Sequence, residues 1–232
     1  MAIRDPALVD GEVLEQALRA QGLRVLAIGT GQAWGEEQLS FTSADPSVRR
    51  LAVERIKSHI PLAKRFEALV IIGLMRGVTP TGQSHDQSIQ WLVKSLQECT
   101  AAAGLQGVRL ALEPLNRYET DLVHTADQGL ELLEQVGADN LGLLLDTFHI
   151  NIEEASIEAN IHRCVGHIFH FHVADSNRWH PGAGQLDFGS ILGALTEIGY
   201  TGWISGEFLP LPDPATAAIE CIAHLSKLIL NV

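Results

Sequence analysis

Four apolar runs in this chain each deliver a side chain able to hold a cation or move a proton. V-R-L-A-L at 108–112 leads into Glu113, L-G-L-L-L at 141–145 into Asp146, and W-I-S at 203–205 into Gly206 and Glu207. The fourth run, I-F-H-F-H-V at 168–173, carries its own candidates. Phe169, Phe171 and Val173 alternate with His170 and His172, which predicts both imidazoles on one face of a strand. A strand buried on both sides ordinarily shows aliphatics on both faces. Two histidines on one face, followed by a polar loop with Arg178, Pro181, Gly182 and Gly184, therefore read as a strand that delivers ligands. His170 taken alone reads as a core histidine satisfied by backbone; His172, at the strand's end, is the ligand candidate.

Acids number 28 and histidines 10 in 232 residues. Four coincidences at strand ends would arise by chance roughly once in a hundred to a thousand cases, so Glu113, Asp146, His172 and Glu207 are taken as one site. Three carboxylates and an imidazole cannot sit together uncompensated, because repulsion among the carboxylates in a low dielectric would force protons onto the cluster. A divalent cation compensates them, and an oxygen-rich set with one nitrogen suits Mn²⁺ or Mg²⁺, with Co²⁺ or Zn²⁺ as alternatives. The competing account is a buried salt-bridge network using Arg117 and Arg178, although buried ion pairs are a poor way to gain stability.

Other chemistries lack their motifs. There is no Gly-x-Ser-x-Gly elbow, no cysteine beside a base and no Walker-type loop. A cation among carboxylates polarises a carbonyl and its neighbouring hydroxyl, and a carboxylate left partly free moves a proton on the adjacent carbon. Two carboxylates on opposite sides of that carbon give epimerisation; one serving two carbons gives aldose–ketose isomerisation. Glu113 and Glu207 come from non-neighbouring strands, which favours epimerisation.

The elements that must position these groups follow one pattern, strand then helix. Strands are expected at 23–28, 68–74, 108–112, 141–145, 168–173 and 203–205. Between them, Asp45-Pro46 opens a helix to about residue 66, Ser84 and Gln87 one through 103, and Thr125 and Gln128 one closed by Gly137. Further helices are expected at 10–21, 152–164, 188–198 and 214–230, and residues 2–6 resemble the tail of another strand. Such a series makes a parallel sheet, open or closed into a barrel whose strand ends converge on one face. Gly29-Thr30-Gly31 lacks the spacing of a dinucleotide loop.

The totals bound the partners. The net charge of −12 argues against a nucleic-acid partner, which needs a basic stripe. Apolar runs such as 68–74 are too short to span a bilayer. Cys99, Cys164 and Cys221 are odd in number and unmotifed, which suits a reducing cytoplasm.

At the ligand positions the chain resembles a known family. E-P-L-N-R-Y-E-T at 113–120, L-D-T-F-H-I-N-I-E-E at 145–154, H-F-H-V-A-D-S-N-R at 170–178 and S-G-E-F at 205–208 are similar to the xylose-isomerase-like sugar epimerases. The nearest groups are the D-tagatose 3-epimerases and, on A-I-G-T-G-Q-A at 27–33 and V-I-I-G-L-M-R-G at 70–77, the 5-keto-L-gluconate epimerases. The resemblance spans essentially the whole chain. It implies an α/β fold, a (β/α)₈ TIM barrel here N-terminally incomplete at about six to seven strands, as one domain over residues 1–232. It implies that Glu113, Asp146, His172 and Glu207 hold one divalent ion, and that Glu113 and Glu207 double as the acid/base pair. His149 and Arg178 would contact substrate oxygens, with Glu119 a further substrate-side carboxylate. The implied reaction is epimerisation of a ketose or keto-sugar acid through a metal-bound cis-enediolate. The alternatives are an isomerase of the hydroxypyruvate type, a three-zinc DNA-repair endonuclease relative, and an inactive metal-binding homologue. Trp34, Arg76, Trp179 and His180 are placed in loops of the same face.

By that comparison the family's first strand-helix unit and most of its second strand are missing. An unclosed seam between the strands at Leu23 and Trp203 predicts that the N-terminal residues fold across the gap or that a second copy covers it. Five residues are too few to replace a strand and a half, so a homodimer is expected.

Overall fold

The computed structural model describes residues 1–229, and in them six parallel strands form one sheet in sequential order. These are β1 (Ala27–Gly29), β2 (Leu69–Ile72), β3 (Leu110–Leu112), β4 (Leu141–Asp146), β5 (Ile168–Val173) and β6 (Ile204–Gly206). Helices alternate with them. α1 (Gly11–Ala20) precedes β1; α2 (Gly31–Glu37) and α3 (Pro46–Phe66) join β1 to β2, and α4 (His85–Gly104) joins β2 to β3. α5 (Ala126–Val136) follows β3, α6 (Thr147–Glu153) and α7 (Ile157–Arg163) follow β4, α8 (Phe188–Glu197) follows β5, and α9 (Pro214–Ile229) follows β6. The result is an incomplete (β/α) barrel.

The helix starts lie where the caps put them. Asp45 accepts from Ser47 N–H at 2.7 Å ahead of Pro46, Ser84 caps α4 through Gln87 N–H, and Thr125 with Gln128 closes a reciprocal capping box. Gly137 ends α5 at φ +68°, a conformation that disfavours a Cβ.

Where the structure departs from sequence expectation, local chemistry explains it. The helix expected at 152–164 is two helices. Asp146 accepts from Phe148 N–H at 2.8 Å and starts α6 directly at the strand end, and Ser156 caps α7 separately through Ala159 N–H. α2 has no side-chain cap and begins at a glycine, so the sequence carries no start signal for it. In the final helix, Leu230 lies outside the described residues.

Alternation along the strands builds two compartments. Ile28, Val70, Ile72, Leu110, Leu112, Leu143, Leu145, Phe171 and Val173 face the helices in the main core. Ala27, Leu69, Ile71, Ala111 and Leu144 face the barrel interior and form a small second cluster. Phe169 joins this interior cluster rather than the face of Phe171 and Val173, which corrects the simple alternation. The register between β4 and β5 slips between Leu143 and Leu144, and the extra residue turns Phe169 inward. Gly142 makes room for it: a Cβ there would lie 2.4 Å from the ring.

The N-terminal residues run alongside β1. Gly29 N–H donates to Met1 O at 2.8 Å and Ile3 N–H to Gly29 O at 2.9 Å, with Ala2 paired in parallel to Gly29. α3 fixes this segment from outside: His59 Nε2 lies 2.9 Å from Ile3 O, and Arg55 donates to Arg4 O at 2.8 Å. Among the described residues β6 pairs only with β5, so its other edge has no strand against it.

Candidate active site and metal centre

Four inward positions step up the barrel by two residues. Ala111 is followed by Glu113, Leu144 by Asp146, His170 by His172 and Ser205 by Glu207, so a strand period of two places all four acidic or imidazole groups on the interior side above the apolar layer. The pairing of β4 with β5 sets Asp146 directly beside His172. Ligand atoms of Glu113, Asp146, His172 and Glu207 all lie within 4.8 Å of one another. His172 Nδ1 is 3.0 Å from Glu207 Oε2, 3.7 Å from Glu113 Oε1 and 3.9 Å from Asp146 Oδ2.

Burial and charge pull these groups apart in acidity. Burial pushes Glu113 above the ordinary carboxylate range, with the neighbouring Glu207 charge adding to it. Burial likewise raises Asp146 to about 7, against the opposing pull of Arg178. For His172, burial disfavours the charged ring, yet the nearby Glu113 and Glu207 carboxylates outweigh it and raise the pKa to about 10. Burial would raise half-exposed Glu207 too, but His172 and Arg178 dominate and bring it down to about 2. The cluster thus recruits positive charge wherever it can find it.

The residues fit a divalent cation. Glu113 Oε1 is buried with no hydrogen-bond partner, which costs free energy unless a cation or proton meets it. Gly73 makes a cradle for the same carboxylate, since a Cβ there would stand 2.8 Å from Glu113 Oε2. Three carboxylates and one imidazole nitrogen within this span match the ligand distances of a hard or borderline ion, about 2.0–2.6 Å.

Around the cluster the loops bring up the remaining expected residues. Arg178 donates from Nη1 to Asp146 Oδ2 at 3.1 Å and from Nη2 to Glu207 Oε2 at 3.0 Å, and its guanidinium lies 4.6 Å from the centre of the Phe148 ring. This is the part of a salt-bridge network that is present; Arg117 instead pairs with Glu153. His149 is buried at the start of α6, with Nε2 3.4 Å from Arg178 Nη1 and 3.9 Å from Glu113 Oε1. Glu119 accepts from Asn116 Nδ2 at 2.9 Å and lies 3.9 Å from His149 Nδ1. A cavity of about 240 Å³ joins them, lined by Glu113, Glu119, His149, His172, Arg178 and Glu207 with Gly29, Gly31 and Gln32 opposite. All seven expected site residues are therefore in this one region. His170 is not in the metal cluster: it bonds Ser205 Oγ at 2.9 Å rather than backbone, and burial lowers its pKa to about 3.

Three residues that carry the site escaped sequence reasoning or were misplaced by it. Arg76, expected in a loop of the face, is fully buried; it donates to Gly73 O and to Leu122 O and Val123 O, tying the Glu119 loop to the segment after β2. Asp175 is fully buried and accepts from the N–H groups of Ser176, Gly182 and Leu186 at 2.8, 2.9 and 3.1 Å. Its own backbone accepts from Arg178 N–H at 2.8 Å and so helps hold Arg178 at φ +62°, a left-handed conformation costly for a side-chain-bearing residue. Asn116 contacts both Glu119 and His149. The signal for Asp175 was present in D-S-N-R followed by two glycines, a carboxylate at the head of a tight loop.

The model of the xylose isomerase-like TIM barrel family matches residues 3–227. An L-ribulose 3-epimerase from Mesorhizobium japonicum is 36% identical over 209 residues, covering 88% of this chain and 68% of that protein. A D-psicose 3-epimerase from Ruminiclostridium cellulolyticum is 34% identical over 181 residues, 76% of this chain and 61% of that protein. The chain thus spans about two thirds of the length of these curated relatives. A solved L-ribulose 3-epimerase superposes with a TM-score of 0.88 at 31% identity, covering 99% of this chain and 83% of that one. The chain belongs to the xylose isomerase-like TIM barrel family, on its sugar isomerase and epimerase side.

Proposed function

We propose that this chain epimerises a ketose, or a keto-sugar acid such as 5-keto-L-gluconate, at the carbon beside the ketone, by way of a cis-enediolate. The observation that carries the reading is the placement of Glu113 and Glu207: they directly follow β3 and β6, with the Asp146 of β4 and the His172 of β5 between them. A sugar over the cluster then has a carboxylate on each side of one carbon, and one removes a proton that the other returns to the opposite face. Relatives named for free ketoses support the ketose class.

Glu113, Asp146, His172 and Glu207 would hold one divalent ion, Mn²⁺ or Mg²⁺ by the donor set, with Co²⁺ or Zn²⁺ as alternatives. When bound, the ion supplies polarisation of the ketone and its neighbouring hydroxyl. The chain's own residues do the rest. Arg178 and His149 line the same region and would contact the oxygens that gain negative charge. Glu119, held by Asn116, would orient a sugar hydroxyl. Incubation of ketoses and ketouronates in D₂O should put deuterium on the epimerised carbon. Turnover without label at that carbon would overturn the enediolate path, and an aldose product would make the chain an isomerase instead.

The reading places the enzyme in the cytoplasm, where its three free, buried cysteines stay reduced. Among the described residues no helix is long and apolar enough to cross a membrane. A homodimer is proposed across the seam, where β6 has an unpaired edge and Leu23 and Trp203 are exposed.

A further inference from the structure

Arg76 is fully buried, and its side-chain hydrogen bonds all go to backbone carbonyls: Nε donates to Gly73 O at 3.1 Å, and Nη1 to Leu122 O at 3.2 Å and Val123 O at 2.9 Å. A buried charge is costly to desolvate, and its hydrogen bonds show what that cost secures. The bond to Gly73 stays within its own turn, which the main chain already closes. Arg76 N–H donates to the same Gly73 O at 3.1 Å, and Gly77 N–H to Leu74 O at 2.9 Å. Thr42 Oγ1, 3.1 Å from Arg76 O and 2.8 Å from Val78 O, fixes that turn from the segment before α3. The side chain reaches outward only to Leu122 and Val123, 46 and 47 residues along the chain.

Val123 stands at φ +54°. A β-branched residue takes this left-handed conformation only where its surroundings impose it. Two donors converge on its carbonyl, Arg76 Nη1 and, at 3.3 Å, Leu115 N–H, and they close loop 115–123 at its base. Thr120 Oγ1 to Gly77 O at 2.9 Å and Thr79 N–H to Asp121 Oδ1 at 2.8 Å also join the two segments, but neither reaches the strained residue. Asn116 and Glu119 lie between the ends of the loop, and Leu115 and Glu119 line the cavity whereas Arg76 does not. We propose that Arg76 is a positioning residue whose guanidinium clamps the strained base of loop 115–123 and thereby sets Glu119 against the substrate. It touches neither substrate nor cation and acts through Glu119. The effect on turnover rests on the proposed epimerase reading, whereas the clamp does not.

Arg76→Lys tests this, because an ammonium keeps the charge but lacks the planar fork that spans Gly73 O and the two loop carbonyls. Amide exchange should speed up about tenfold or more in loop 115–123 and by less than about twofold in β3 and β4. Mn²⁺ affinity, read by calorimetry on chelated protein, should stay within about threefold, since the turn that cradles Glu113 keeps its main-chain bonds. With D-psicose as the probe substrate, KM should rise about tenfold, the loss of one substrate hydrogen bond, while kcat changes less than about threefold. In a Glu119→Gln background the same change should add less than about twofold to KM, because the two residues act as one. Unchanged loop exchange in a folded Arg76→Lys protein overturns the proposal, as does a KM rise in the Glu119→Gln background as large as in the unaltered one. Should Arg76→Lys fail to fold, ¹⁵N-arginine NMR on the unaltered protein decides instead. Separate Nη1 and Nη2 signals for Arg76 are expected of a clamped fork, and a single averaged signal overturns it. Faster loop exchange in a protein that turns over no ketose would uphold the clamp and remove only its consequence for turnover, together with the epimerase reading.

Discussion

The closest test of the metal centre is a single methyl group. Gly73 faces Glu113, and a Cβ built on it would lie 2.8 Å from Oε2, where ordinary contact begins near 3.4 Å. Gly73→Ala therefore forces the carboxylate back by about 0.6 Å, against a ligand tolerance of roughly 0.2 Å for a metal site. Disturbing the support of a ligand typically costs 10- to 100-fold in metal affinity, or about 1.4 to 2.8 kcal/mol. Calorimetric titration of chelated protein with Mn²⁺ would read this directly. Gly31→Ala is the control, on the same cleft but with its nearest neighbour, Leu74 Cδ1, at 3.8 Å. Loss of affinity is expected in Gly73→Ala alone. Equal Mn²⁺ affinity in the Gly73→Ala and unaltered proteins, with melting unchanged, would show that Glu113 is not held where the cation needs it.

Other outcomes follow from the same geometry. Chelation should lower the melting temperature and Mn²⁺ or Mg²⁺ restore it, since an ion at 100 times its Kd adds about 2.7 kcal/mol; identical melting with and without any of the four candidate ions would remove the metal site. Glu113→Gln and Glu207→Gln should each abolish epimerisation while one of them retains one-sided exchange of the substrate proton with solvent, read by mass spectrometry in D₂O. Asp175→Asn should destabilise the protein by about 1.5–3 kcal/mol, as for hydrogen bonds to a charged group. Burial alone would raise Asp175, but its backbone N–H donors prevail and lower its pKa. Its stabilisation is therefore complete above the unfolded value near 3.9 and fades as pH falls through the lower folded value. Acid titration of the variant should accordingly show a shallower loss below about pH 4. Sedimentation at micromolar concentration should give a dimer, and a compact monomer with slow amide exchange in β1 would show that residues 1–3 seal the seam unaided.

How much of this was legible in the residues differs between fold and site. The strands and the four candidate ligands could be read in advance because both depend on local periodicity: an inward residue recurs every second position, and Glu113, Asp146, His172 and Glu207 each fall two beyond an inward neighbour. Helix starts at Asp45, Ser84 and Thr125 were equally visible, because a cap is a contact over three residues. What lies across the barrel was not. The register slip that turns Phe169 inward depends on the space above Gly142, on another strand. Arg76 looked like a loop cation; only the packed structure shows it buried beneath the carbonyls of Leu122 and Val123. Asn116 sits in an unremarked motif position, and its hold on His149 spans 33 residues of sequence. The chain alone thus determined which groups meet at the top of the barrel, because strand alternation is local. The tertiary structure alone decided how they are held, because hydrogen bonds between distant loops have no period to read.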